Sequence, residues 1–357
     1  MKIALITDTH FGARSDSQIF LDYFSKFYEN IFFPYLAKNN IKTCIHLGDV
    51  VDRRKFINFK TLNYLRNNFF NKLWNMQIDT HIIIGNHDVY FKNTNKVNSM
   101  VELFSTITGE IEPWIYESPR EVVFDDTKIL MMPWINNSNY NECIEFINET
   151  DAQIMLGHFE ISGFEMHQGL WCDSGMDSKI FNKFDMVLSG HFHHKSTNGN
   201  ISYLGNPYEI NWGDYNDTRG FHILDTETRE LEFIPNTFKM FHKIYYNDNN
   251  KTFEDFKKAD YSKYEGSFVK IIVTEKNNPY WFDVMIDALY KANVVDVSIV
   301  ENIDLEFEDD DMINEAEDTL TILSKYVETL NIKNNKKELD VLLRNLYNEA
   351  LDTELYG

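Results

Sequence analysis

A chain of 357 residues, 43% hydrophobic and 15% aromatic, is longer than one ordinary domain and carries ample material for a core, which excludes a disordered or low-complexity protein. Its 56 acidic against 34 basic residues give a net charge of −22, which argues against a chain that grips nucleic acid unaided. Three scattered cysteines, Cys44, Cys143 and Cys172, lack CxxC spacing and read as free thiols of a reducing compartment, and no apolar run approaches membrane-spanning length.

Lys2–Thr7 reads as a buried strand, which leaves no room for a signal peptide and points to the cytoplasm. Ser17–Asn39 is largely helical, with Phe20, Phe24, Phe27, Ile31 and Tyr35 near helical spacing and Pro34 as a kink or stop. Lys42–Leu47 is a second strand, Phe56–Trp74 a second helix and Thr80–Ile84 a third strand. This βαβαβ run implies a parallel sheet with crossover helices. Further strands follow at Lys128–Met132, Ala152–Leu156, Met186–Leu188 and Ser202–Leu204, enough for two sheets packed face to face with helices outside. The expected fold class is therefore an α/β two-sheet sandwich over residues 1–218.

From Gly220 the texture changes. Phe221–Asp225, Glu230–Ile234, Lys243–Tyr246 and Phe268–Val273 read as strands, Trp281–Lys291 as a helix and Val294–Ile299 as a strand. These predict a smaller α+β capping domain over residues 219–300. Residues 301–318 hold ten acidic residues and no Lys or Arg, an acidic linker (301–312) running into a helix. Two amphipathic helices, about Ile313–Leu330 and Lys336–Leu355, form a terminal helical region (313–357).

Five short motifs end predicted strands: Asp8-Thr9-His10, Gly48-Asp49, Gly85-Asn86-His87-Asp88, Gly157-His158 and Gly190-His191-Phe192-His193. Ligand sites gather at the carboxyl ends of strands in open α/β sheets, so all five can meet on one rim. Carboxylate, imidazole and amide oxygen together suit Mn²⁺ or Fe²⁺, with Zn²⁺ and Mg²⁺ as alternatives. On extended backbone, Asp8 with His10 and His191 with His193 would each present two ligands to one side. A Gly precedes the first ligand in the last four motifs, where the chain must turn sharply or approach the metals closely. One DxH or GD means little; five motifs in this order form a constellation. His46, His81, His167, His194, His222 and His242 carry no such context and read as surface or core histidines.

With these motifs the sequence resembles the calcineurin-like metallophosphoesterase superfamily. The resemblance implies two divalent metals, one on Asp8, His10, Asp49 and His193, the other on Asp49, Asn86, His158 and His191. It makes His87 the catalytic histidine and Asp88 its orienting carboxylate. Within the superfamily, GDVVDRRK, GNHD, GHFEISGF, GHFH, Gly205-Asn206-Pro207 and Asp217-Thr218-Arg219-Gly220-Phe221 resemble the SbcD-type nucleases, closest in style to T-even phage members. That implies a DNA exo- and endonuclease of double-strand-break repair and recombination, placed in the host cytoplasm if phage-encoded. It also implies a homodimer and an SbcC-like coiled-coil ATPase of the SMC family as partner. One departure stands out: where archaeal and eukaryotic members tend to carry His, three residues after the bridging Asp, this chain has Asp52.

Outside the motifs, Arg14, Arg53, Arg54 and Lys55 would guide a phosphate backbone or form a solvated basic loop. The helix Phe56–Trp74 carries Leu62, Leu65, Phe69 and Leu73 on one face, with Phe59, Phe70 and Trp74 outside it, as a helix covering both the sheet and a second copy would. The rival readings are a phosphoprotein phosphatase, since Gly48–Arg53 resembles GDxVDRG, a small-molecule or cyclic-nucleotide phosphodiesterase, and a catalytically silent scaffold.

Overall fold

A computed structural model describes residues 1–104, 113–167, 170–173 and 175–301, with Lys336, Leu339, Leu342 and Leu343 beyond them. The chain divides into a unit over Met1–Asn302 and a second over Ile303–Gly357. The four described residues of the second unit are helical. The rest of the terminal helices, and the acidic stretch after Glu301, lie outside the described residues.

The first unit opens with β1 (Lys2–Ile6), β2 (Thr43–His46), β3 (Asp79–Ile83) and β4 (Trp114–Tyr116). There follow β5 (Arg120–Phe124), β6 (Thr127–Met132), β7 (Ile154–His158), the hairpin of β8 (Glu165–His167) and β9 (Leu170–Trp171), and β10 (Met186–Gly190). β11 (Ser196–Asn198), β12 (Ile201–Tyr203), β13 (Gly220–Asp225) and β14 (Leu231–Pro235) complete two six-stranded sheets. Their orders are β14-β13-β1-β2-β3-β4 and β11-β12-β10-β7-β6-β5. Strands β1 to β4 run parallel, as do β6, β7, β10 and β12.

The layers follow from strand alternation. Ile3 and Leu5 point between the sheets, against Ile154, Leu156 and Leu188, while Ala4 and Ile6 point outward to Phe24, Phe27 and Leu65 on helices. Both sheets are thus covered on their outer faces, the second by Cys143 and Ile147 of the helix Tyr140–Glu149. All three cysteines are buried, and none is in a disulfide. Among the described residues, no helix is long and apolar enough to cross a membrane.

Two helical runs depart from regular periodicity. Gln18–Phe27 continues through a π-helical turn, Tyr28–Phe32, into Phe33–Lys38, so Pro34 sits at the start of the last segment instead of ending the run. The wide turn relieves the clash a proline ring would make with the preceding carbonyls. The second helix starts at Phe59, capped by Asn58, not at Phe56, and widens at Leu65–Phe70 before Asn71–Asn75. That widening rotates Phe70 inward, to 4.6 Å from Phe104, although regular spacing placed it off the buried face.

The boundary expected after residue 218 falls inside the sandwich. β13 pairs antiparallel with β1 and β14 with β13, so the first sheet runs to Pro235. β13 is covered on both faces, and it closes the edge that β1 would otherwise expose. The smaller substructure comprises β15 (Phe241–Asn247), β16 (Phe268–Glu275) and β17 (Asp296–Glu301), a parallel sheet. The helix Pro279–Lys291 packs Phe282, Met285 and Leu289 on Tyr246, Val269 and Ile271.

Candidate metal centre

The five motifs meet. Asp8 and His10 follow β1, Asp49 follows β2, Asn86 to Asp88 follow β3, His158 ends β7, and His191 and His193 follow β10. Ligand atoms of Asp8, His10 and His193 lie within 4.8 Å of one another, as do those of Asp49, His158 and His191, and those of His10, Asp49 and His87. Nε2 of His10 and His193 are 3.1 Å apart. The amide oxygen of Asn86 is 2.9 Å from both His158 Nε2 and His191 Nδ1, and Asp49 Oδ2 is 3.3 Å from His158 Nε2. Asp49 reaches toward His10 as well, at 3.9 Å, and so stands between the clusters.

The pairs do not work by extended backbone. Asp8, His10, Asp49 and His191 all have positive φ, at 52°, 43°, 56° and 90°. Each left-handed residue costs about 1–3 kcal/mol and persists because its surroundings fix it. Three supports do so here. Thr7 Oγ1 donates to Asp8 Oδ2 at 2.6 Å, and the His191 amide donates to both Asp8 oxygens at 3.1 Å. The buried His46 accepts from the Gly48 amide at Nδ1, which leaves Nε2 to donate to Thr9 Oγ1 at 2.9 Å. The glycines are needed chiefly for space. Of the four that precede candidate ligands, only Gly48 has positive φ, whereas a Cβ on Gly85 would collide with Asp49, and one on Gly190 with Thr7.

Asp88 does not orient His87. Its carboxylate accepts from the amides of Gly85, Asp49, Val50 and Val51, at 2.8–3.2 Å, and so ties the second and third ligand loops together. His87 Nδ1 instead donates to the Asp52 carbonyl at 2.6 Å. The Asp52 carboxylate lies 3.6 Å from His10 Nδ1.

Arg219, Asp217 and Asn206 also brace the centre. The buried Arg219 guanidinium bonds the His193 carbonyl, Asn206 Oδ1, Asp214 Oδ1 at 2.9 Å and Asp217 Oδ2 at 3.0 Å. Asp217 in turn holds His194 at 2.7 Å. The DTRGF run marked a resemblance, but no spacing rule gave it this role. Trp134 was missed altogether; its ring lies 5.1 Å from that of His191.

The donor set fits divalent cations. His158 Nδ1 donates to the Leu47 carbonyl at 2.8 Å, so a neutral ring turns the lone pair of Nε2 toward Asn86 Oδ1, acceptor against acceptor. Two carboxyls and several imidazoles are buried together. Burial opposes charge on His158, yet Asp49 pushes it up to about 9; burial, with Asp49, lifts Asp8 to about 7. Burial, with His158 nearby, holds His191 down to about 3, and burial keeps His10 well below the usual histidine range. A divalent cation held by these donors would take the place of the protons that Asp8 and His158 otherwise retain.

The remaining candidates sit elsewhere. His81 Nδ1 meets the Tyr116 hydroxyl at 2.7 Å, and His222 is buried against Phe233. His242 packs on Tyr264. Arg53 pairs with Asp16 at 2.9 Å and lies over Phe56, while Arg54 buries Nη1 with no hydrogen-bond partner.

The sequence matches the calcineurin-like phosphoesterase family over residues 1–195. Exonuclease subunit 1 of Enterobacteria phage T4 is 32% identical over 359 residues, covering 98% of this chain and 99% of that one. The SbcD component of the SbcCD nuclease is 28% identical in Staphylococcus epidermidis, over 27% of this chain and 29% of that one. Its Staphylococcus saprophyticus counterpart is 24% identical, over 45% and 49%.

Proposed function

The chain belongs to the calcineurin-like phosphoesterase family, and from that premise we propose that it is the nuclease subunit of a DNA-processing complex, hydrolysing phosphodiester bonds at a two-metal site. The observation that carries this reading is the pair of adjoining ligand clusters with Asp49 between them. Asp8, His10, Asp49 and His193 would hold one ion, and Asp49, Asn86, His158 and His191 the other. The mixed imidazole and carboxylate donors favour Mn²⁺ or Fe²⁺. When bound, such ions acidify a water and offset charge on the phosphodiester.

The chain's own residues divide the remaining work. His87, fixed by the Asp52 carbonyl, stands with its ring 4.8 Å from that of His10 and protonates the leaving oxygen from Nε2. Asp88 keeps Asp49 and Asn86 in register through backbone amides. Arg54 is a better phosphate guide than Arg53, whose guanidinium is already paired with Asp16. The net charge of −22 supports a cutter that relies on a more basic partner, and the relatives named as parts of SbcCD support an SbcC-like coiled-coil ATPase as that partner. The terminal residues 313–357 would dock it, and a homodimer would form through the Phe59 helix.

One assay separates these readings. Mn²⁺-loaded protein is offered linear duplex DNA, a phosphopeptide and bis-p-nitrophenyl phosphate, with and without such an ATPase, beside a chain ending at Asp311. DNA and the small diester are expected to be cut, with the ATPase accelerating only the DNA reaction of the full chain. Cleavage of the phosphopeptide alone would make the protein a phosphatase. No turnover on any substrate would make it a scaffold.

A further inference from the structure

We infer that the cleft beside His158 and His191 is a base subsite: it takes the nucleobase of a nucleotide flanking the scissile phosphate, stacked on Trp134 with its amino edge on Glu160. This rests on the nuclease reading and deepens it. The cleft, about 180 Å³, is bounded by Trp134, Ile135, Phe159, Glu160, Gly175 and Met176 and opens on His158.

Both walls are built, not incidental. Trp134 is half-buried, and its backbone is pinned from three sides: its amide donates to the Ile84 carbonyl at 2.8 Å, and its carbonyl accepts from Asn95 at 2.9 Å and Asn139 at 3.0 Å. The indole is thereby held 5.1 Å from the His191 ring and 6.0 Å from that of His158. On the opposite side, the Met176 amide donates to the Glu160 carbonyl at 2.9 Å, and Ser162 returns a bond to the Met176 carbonyl at 3.1 Å. Gly175 turns there with φ +101°, where a Cβ would stand 2.6 Å from the Glu160 carbonyl. Only glycine lets this wall close on Glu160.

The chemistry of the lining selects the occupant. An indole, an isoleucine and a thioether offer a flat apolar slot directly beside the charged centre. The Glu160 carboxylate, 3.9 Å from His191 Nε2, repels phosphate, so the anionic backbone does not run through the slot. The part of a nucleotide that is flat and uncharged is its base. A carboxylate only accepts hydrogen bonds, so it favours the exocyclic amines of cytosine and adenine over thymine, which presents a carbonyl there.

Calorimetry on the Mn²⁺-loaded full chain tests this with deoxycytidine, deoxyadenosine and thymidine monophosphates and with deoxyribose 5-phosphate. The wild type should bind nucleotides about tenfold more tightly than the sugar phosphate, the usual scale of base–aromatic stacking. Trp134→Ala should reduce that ratio to near one, and Trp134→Phe should keep most of it. Glu160→Gln should retain the ratio but lose the preference for cytosine and adenine over thymine. Equal ratios in wild type and Trp134→Ala would overturn the proposal, leaving Trp134 as a cover for His158. Should Trp134→Ala fail to fold, unchanged base selection in Glu160→Gln together with an unchanged ratio in Trp134→Phe and Trp134→Leu overturns it equally. DNA cleavage by the same preparations separates the two failures: a wild type that cuts DNA without discriminating bases loses only the subsite, and one that cuts no DNA loses the nuclease reading and the subsite with it.

Discussion

His87 and Asp88 are neighbours with separable duties. The His87 ring is anchored by the hydrogen bond from Nδ1 to the Asp52 carbonyl, and its edge faces the His10 ring across the site. Asp88 is fully buried and accepts from four amides. His87→Ala should therefore keep both metals while kcat falls by about 10²–10⁴, the range lost with a general acid. Asp88→Asn is nearly isosteric, yet it turns a carboxamide NH2, itself a donor, toward amide donors and leaves buried groups unpaired at about 1–3 kcal/mol each. That variant should lose metal affinity and thermal stability together. Metal analysis after dialysis, alongside kcat, distinguishes the two; metal loss in His87→Ala would overturn its assignment. The candidate ligands could be singled out in the sequence because a carboxylate, an amide and imidazoles at strand ends have few other uses in that order. The partner of Asp88 was not, since side-chain direction at a tight turn depends on φ, and Asp8, His10, Asp49 and His191 all take values that sequence spacing does not reveal.

Between residues and molecule, the loop from Gly205 to Gly220 works as a brace. Arg219 joins the His193 carbonyl to Asp214 and Asp217. Asp214 Oδ2 also accepts from the Ile210 amide at 2.7 Å, and the adjacent Glu209 accepts from Met240 and Phe241 where β15 begins. A line of buried polar contacts thus runs from a candidate ligand to the three-stranded sheet. Arg219→Lys keeps the charge but not the planar fork that serves several acceptors at once. It should lower the melting temperature by several degrees, as about 1–3 kcal/mol of lost buried bonding implies. It should also weaken one metal site, that of His193, more than the other. Equal loss of both ions in stepwise metal titration would mean that Arg219 serves stability alone. Strand positions were largely readable from apolar runs, because β1, β2 and β3 are buried on both faces. The π-helical turns and the pairing of β13 with β1 were not, since the first breaks periodicity and the second joins residues more than two hundred apart.

Across the whole molecule, an acidic surface coexists with an apolar one. Phe56, Tyr90 and Val97 line one groove with Ile57 and Leu103, and Phe59 stands three residues from Phe56 at 86% exposure. Leu65, Phe69, Phe70 and Leu73 of the same helical run are already buried on the sheet side, so the exposed set is surplus to the core. A second copy covering it would remove large apolar side chains from water at about 1.5–3 kcal/mol each. Phe59→Asp replaces one of them with a charge and leaves the folded core untouched. It should weaken self-association by ten- to a hundredfold in sedimentation equilibrium while hydrolysis of bis-p-nitrophenyl phosphate persists. Salt distinguishes an apolar interface from an ionic one. Two copies of a chain at −22 repel, and raising ionic strength screens that repulsion without weakening apolar burial. Dimerisation driven by this face should therefore tighten with salt, whereas one held by ion pairs would loosen. Association that fell with salt, or that ignored Phe59→Asp, would place the interface elsewhere.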